Sequence, residues 1–169
     1  MSTVTNDPFF EVFDEVDSVR HGLPGRAYTS GEFFELEANQ LFAASWSFVG
    51  FAHQLANVGD VQPLTVAGKP VFLVRSEADK IRAFHNVCRH RNLKLIGQAG
   101  HCDALITCPY HRWSYDFGGQ LRLAPYFGGG KSGLPDGFDL ANHGLYEIPC
   151  QTFHDWVFIN LDGQAESFD

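Results

Sequence analysis

Two cysteine–histidine pairs lie close together in the middle of the chain, as Cys88-Arg89-His90 and Cys108-Pro109-Tyr110-His111, with seventeen residues between His90 and Cys108. Two thiolates and two imidazoles delivered by two loops suit one small metal centre, so the fold must bring those loops together. Tetrahedral zinc takes the same donors, and ligand type alone does not separate it from iron. Zinc fingers usually group the cysteines together and the histidines together. Here each loop supplies one of each. A 2Fe–2S cluster with both histidines on one iron asks for that mixing, because each loop then gives one ligand to each iron.

The flanking residues carry a resemblance. Cys88-Arg89-His90-Arg91 and Cys108-Pro109-Tyr110-His111-Arg112-Trp113-Ser114-Tyr115-Asp116 are similar to the cluster loops of Rieske non-haem iron (aromatic-ring-hydroxylating) oxygenases, in the N-terminal domain of the alpha subunit. The family pattern reads C-R-H-R-G and C-P-Y-H-G-W-x-Y-D-x-x-G. The approach from Ile81 to Val87 and the exit from Trp156 to Asp162 fit as well, and the resemblance spans roughly residues 28 to 163. Asn92 and Arg112 both stand where the family usually has glycine. Such glycines serve a positive φ or a close approach. Asparagine is the best replacement in that conformation and arginine a poorer one, so strain or a local change of shape is expected in the second loop.

The resemblance implies a mainly β fold: a Rieske-type antiparallel β-sandwich with two cluster-binding loops, preceded by an N-terminal helix. It implies Cys88, His90, Cys108 and His111 as ligands of a Rieske 2Fe–2S cluster, with Arg91, Tyr110 and Trp113 around them. It also implies a reductase or ferredoxin as electron donor. The acceptor would be a mononuclear Fe(II) site on a catalytic domain or subunit beyond this chain. The other histidines, at 21, 53, 85, 101, 143 and 154, show no helical two-histidine spacing with a following carboxylate. This chain alone is therefore expected to carry electrons and to catalyse no hydroxylation. Two other readings stay open: a free-standing Rieske ferredoxin and a zinc-binding structural module. Free-standing Rieske ferredoxins are shorter and lack the leading helix.

Composition sets the outer bounds. A chain of 169 residues is long enough for one domain with a proper core. Sixteen phenylalanines suggest an aromatic-rich β interior. A net charge of −8 argues against nucleic acid as a partner. No run is long enough to cross a bilayer, and Met1 to Asp7 lacks a leader pattern, so the expected location is cytoplasmic. Within this acidic chain, Arg89, Arg91, Lys94 and Arg112 gather on the two loops, where they would tune the cluster or meet an acidic redox partner. Cys102 and Cys150 fall outside the motif and are expected to be buried free thiols.

Along the chain, residues 1–44 read as an irregular segment followed by a helix, 45–163 as the cluster domain and 164–169 as a tail. Phe9, Phe10, Val12, Phe13 and Val16 suggest a short helical turn. Thr29-Ser30-Gly31-Glu32 reads as a capping box with threonine as the cap. Phe33, Leu36, Leu41 and Phe42 then form an apolar stripe expected to pack in the core of a helix near 30–44. Strands are expected at 46–52, 61–66, 70–75, 81–85, 113–116, 120–123, 147–148 and 156–160, with 105–107 leading into the second loop and a loose loop around Gly128–Gly130 and Pro135.

Overall fold

The computed structural model describes residues 22–129 and 133–168. The helical turn expected around Phe9 to Val16 lies outside them. Eleven antiparallel strands form three sheets among the described residues. The central sheet has the order β5-β2-β3-β4-β9: β2 is Asp60–Val66, β3 Lys69–Glu77, β4 Lys80–His85, β5 Gly100–His101 and β9 Glu147–Ile148. A second sheet runs β1-β11-β10 (Trp46–Phe51, Trp156–Asn160, Cys150–Phe153), and a third runs β6-β7-β8 (Ile106–Thr107, Ser114–Tyr115, Leu121–Leu123).

The central sheet is covered on both faces, and β3 shows how. Val71, Phe72, Leu73 and Val74 are all buried. Alternate side chains of a strand point to opposite faces, so this run serves two cores. Phe72 and Val74, with Phe84 of β4, pack towards the third sheet and the two motif loops. Val71 and Leu73, with Ala83, pack towards Val157 and Ile159 of β11. A strand buried on both sides needs an uninterrupted apolar run, and this one supplies it. The β2–β3 hairpin turns on Ala67 and Gly68, both at positive φ (47° and 73°), the pair of conformations that matches the twist of a two-residue hairpin.

The leading helix differs from expectation in two respects. Its cap is Ser30, not Thr29: the Ser30 hydroxyl accepts from the Phe33 amide at 3.3 Å. Helix α1 (Gly31–Leu36) then widens into a π-helical stretch, Glu37–Phe42. The wider turn rotates the stripe, so Phe33 and Ala38 are buried while Leu41 and Phe42 are exposed along with Phe34. The outer face of the second sheet is also apolar. Phe48, Phe51 and Trp156 stand exposed on it, and Phe48 meets both Trp156 and Phe158 edge-on. Phe168 of the tail folds back onto Trp46 and Phe158.

Strands β5, β6 and β10 are additional to those expected; each is short or polar-faced and carries no alternation to read. The loop after β8 is less loose than its glycines suggest. It contains a 3₁₀ turn at Leu140–His143, and it lays Phe138 and Leu140 against the core. Among the described residues, no helix is long and apolar enough to cross a membrane.

Candidate metal centre

The third sheet and the end of β4 hold the two motif loops side by side. The first leaves β4 through Asn86, a fully buried amide. Its Nδ2 donates to the Ile96 carbonyl at 2.8 Å, and its Oδ1 accepts from the Leu95 and Ile96 amides at 3.0 and 2.9 Å. One side chain thus closes the base of the loop. The second loop links β6 to β7, so a hairpin ladder closes it instead. In this region Gly119 (φ 84°) turns the chain from β7 into β8 against the ring of Phe84; a Cβ there would lie 2.5 Å from that ring.

Inside each loop the backbone repeats one pattern. The Cys88 amide donates to the Leu93 carbonyl and the Asn92 amide to the Cys88 carbonyl, at 2.8 and 2.9 Å. The Cys108 amide donates to Trp113 and the Arg112 amide to Cys108, at 2.8 and 3.1 Å. Each turn is completed by a left-handed residue, Asn92 at φ 57° and Arg112 at φ 62°. These are the two positions where glycine was expected. Arginine therefore adopts the glycine conformation and the loop keeps its shape.

The turns sort the four donors by depth. Cys88 and Cys108 are buried at 1% and 2% exposure. His90 and His111 are half-buried beyond them, with ring centroids 4.7 Å apart. Trp113, fully buried, stacks on His90 at 4.8 Å with the rings 7° from parallel. Tyr110 leans on His111 but is largely exposed, and Arg91 is exposed. Arg89 does not face the solvent freely: it donates to the Gly144 carbonyl at 2.8 Å and lies 3.8 Å over the ring of Tyr146.

Burial lifts the Cys88 thiol above its usual range; the hydroxyl of Tyr115 pulls the other way, and the neighbouring Cys108 adds to the rise. Burial holds His90 below the usual imidazole value, helped by His111 and then Arg91. A neutral imidazole is the state a metal ligand needs, and a buried thiol must give up its proton as the metal binds. The Nδ1 of His90 is buried with no hydrogen-bond partner, as is Nε1 of Trp113. A bare imidazole nitrogen in a protein interior is costly unless a metal takes its lone pair. The donor set therefore fits a cluster with two sulfur and two nitrogen ligands. Among the described residues, no three His, Cys, Asp or Glu side chains gather as they would around one ion.

Two contributors had no role assigned from the sequence, although Tyr115 stands in the second motif. Tyr115 is fully buried, with its hydroxyl 3.4 Å from Cys88 Sγ and accepting from the Arg89 amide at 3.0 Å. Its signal was a tyrosine at an inward position of a short hairpin, where a phenol needs a partner. Phe127 meets both His90 and Trp113 edge-on, but nothing local marks a loop residue for that role. Cys102 and Cys150 are free and half-buried instead of buried, Cys102 packed against the core that holds Cys88 and Cys108 and Cys150 against the other core; burial pushes the Cys150 thiol up to about 12.

A β domain that presents two buried thiols and two outer imidazoles from paired loops belongs to a recognisable class of iron–sulfur domain. Residues 45–134 match the Rieske [2Fe-2S] domain, and the chain belongs to that family. Its cofactor is a Rieske-type 2Fe–2S cluster. The chain is 34% identical over 149 residues to the glycine betaine monooxygenase oxygenase subunit of Chromohalobacter salexigens, covering 88% of this chain and 32% of that protein. It is 34% identical over 165 residues to the carnitine monooxygenase oxygenase subunit of Acinetobacter pittii, covering 98% and 43%. Among solved structures, the apo form of the quaternary ammonium Rieske monooxygenase CntA superposes with a TM-score of 0.75 at 33% identity, over 85% of this chain and 40% of that one. The chain thus spans well under half the length of these relatives.

Proposed function

We propose that this chain is the electron-transfer part of a Rieske-type oxygenase, passing single electrons to a mononuclear iron site on a catalytic domain or partner subunit. Cys88 and Cys108 would hold one iron, and His90 and His111 the other. The cluster domain would run over 45–163, behind the 1–44 segment and before the 164–169 tail. The observation that carries the reading is the depth order of the four donors, with both sulfurs buried and both imidazoles together at the outer end. A bridged iron pair asks only two side chains of each metal.

When bound, a 2Fe–2S cluster supplies reversible one-electron chemistry. The chain's own residues do the rest. Asn92 and Arg112 close the two turns that aim the donors. Tyr115 offers its hydroxyl to Cys88 Sγ and steadies the first loop through the Arg89 amide. Trp113, Phe127 and Phe138 exclude water from the inner side of His90. The outer side of both imidazoles stays open, in a concavity of about 430 Å³. Electrons would arrive from a reductase or ferredoxin and leave through that opening, in the cytoplasm. Inter-subunit electron transfer has been described for CntA, and the same route is proposed here. The relatives named for glycine betaine and carnitine make quaternary ammonium compounds the first substrates to try once the catalytic partner is in hand.

Iron and acid-labile sulfide analysis of anaerobically purified protein tests the reading. Two irons and two sulfides per chain are expected, with a reduced-state EPR signal of low average g. A colourless protein containing zinc and no sulfide would overturn it.

A further inference from the structure

A second concavity, of about 590 Å³, shares none of its lining with the opening at the imidazoles. It lies where the ends of β3 and β4 meet the exit of β11, and its volume falls in the range of small-molecule sites. Much of its wall is aliphatic: Pro70, Val87, Pro149 and Leu161.

Two basic side chains meet at one end of this groove. Val71 of β3 pairs with His85 of β4. Lys69 stands two residues before Val71, so its side chain leaves the same face of the sheet as the His85 ring and is its diagonal neighbour. Lys69 is exposed and has no ion pair among the described residues. Burial, and then Lys69, hold His85 below the usual imidazole value. Near neutral pH the ring is therefore an uncharged donor beside a fixed ammonium.

The two carboxylates on the groove are engaged elsewhere. Glu147 is paired with Arg82 at 2.6 Å, and Asp162 accepts from the Gln164 amide at 2.9 Å. One unmatched positive charge is thus left at the end of an aliphatic trough. A molecule with one negative head and an apolar tail fits both features: the charge fixes the head, and burial of the tail adds affinity.

We propose that this groove is a binding site for a monocarboxylate with a short aliphatic chain, its carboxylate held between Lys69 and His85 and its chain laid along Pro70, Pro149 and Leu161. Such a site is separate from the electron-transfer reading, because none of its lining residues is one of the four donors.

Calorimetric titration of the iron-loaded chain with octanoate, octanamide and octylamine tests the site, near neutral pH and at about 10 mM ionic strength, where charges are little screened. Octanoate binds with a Kd on the order of 1 mM or tighter. Octanamide binds at least about threefold more weakly, and octylamine does not bind. Lys69→Gln weakens octanoate about threefold and Lys69→Glu about tenfold or more. Lys69 follows a hairpin turn on the surface, so neither substitution disturbs a core. Phe48→Ser, on the exposed ring face of the second sheet, leaves octanoate binding unchanged. A second readout locates the ligand. The lysines at 69, 80, 94 and 131 are labelled by reductive methylation with isotopic formaldehyde, which keeps their charge. Octanoate moves the Lys69 methyl resonance, assigned as the one missing from Lys69→Gln, and leaves those of Lys80 and Lys94 in place. Equal affinities for octanoate and octanamide, or octanoate binding that survives Lys69→Glu intact, overturn the proposal. Loss of binding in Phe48→Ser with a stationary Lys69 resonance overturns it by placing the ligand on the ring face. Absence of binding at about tenfold the expected Kd overturns it as well, and none of these outcomes bears on the iron and sulfide content that tests the electron-transfer reading.

Discussion

The two motif loops reach the same geometry by different means. Both place a cysteine amide and carbonyl in the same pair of backbone hydrogen bonds, and both finish on a left-handed residue. The first has no ladder beneath it and depends on the three hydrogen bonds of Asn86. The second is the connection of a hairpin, and its side-chain support is lighter: the Ser114 hydroxyl donates to the Arg112 carbonyl at 2.9 Å and lies 3.0 Å from Thr107 Oγ1. A loop without regular structure below it can therefore be as well defined as a hairpin end, provided one buried amide satisfies the backbone groups that a ladder would have paired.

The comparison can be broken most severely at the donors. His90→Ala and His111→Ala should each lose most of the bound iron, because equivalent loops leave neither imidazole dispensable; a native visible spectrum in either variant would sink the assignment. Asn86→Ala comes next. It strands the Leu95 and Ile96 amides in the core, at about 3 kcal/mol, whereas Ser114→Ala in the second loop should cost about 1 kcal/mol; urea melts that rank the two equally would erase the distinction drawn above. Tyr115→Phe removes the hydroxyl from Cys88 Sγ and the acceptor from the Arg89 amide. A destabilisation of about 1–2 kcal/mol is expected, with a lower reduction potential, since hydrogen bonds to the sulfurs help to set it. Protein-film voltammetry showing an unmoved potential would argue against that contact.

Smaller effects sharpen the contrast between the left-handed residues. Arg112→Gly should stabilise the chain by about 1 kcal/mol and Asn92→Gly by less, because asparagine tolerates that conformation better. The smallest effect lies far from either loop. Asp155 accepts from the backbone and ring nitrogens of His53 at 2.9 and 2.5 Å, and the ring contact with His53 leads the causes that hold its carboxyl below the usual range. A lowered folded-state value means that the contribution is present above the unfolded-state value of about 3.9 and is lost as pH falls through the folded one. Asp155→Asn should flatten the acid side of the stability curve slightly and leave neutral pH almost unchanged, as melts from pH 3 to 7 would record.

Much of this could be read from the chain itself. The two motif loops and their left-handed turns were legible because turn chemistry is local. Strands β2, β3 and β4 were legible from apolar runs between the turns at Ala67-Gly68 and at Glu77 to Lys80. What escaped depends on distant partners. Tyr115 becomes a contributor only when the hairpin sets it under Cys88, and Phe127 only when its loop folds over Trp113. The helix was placed correctly, but its π-helical widening was not, and a one-residue change in winding moved Leu41 and Phe42 from the expected interior to the surface. Cap position followed the same logic: threonine and serine are adjacent and chemically alike, and only the backbone decides which one caps.

The outer face of the second sheet has a practical consequence. Phe48, Phe51 and Trp156 form a ready-made ring-lined patch on the folded molecule, and environment-sensitive hydrophobic dyes bind such patches without any unfolding. Dye-based melting curves of this chain should therefore begin bright, so its thermal transitions are better followed by circular dichroism.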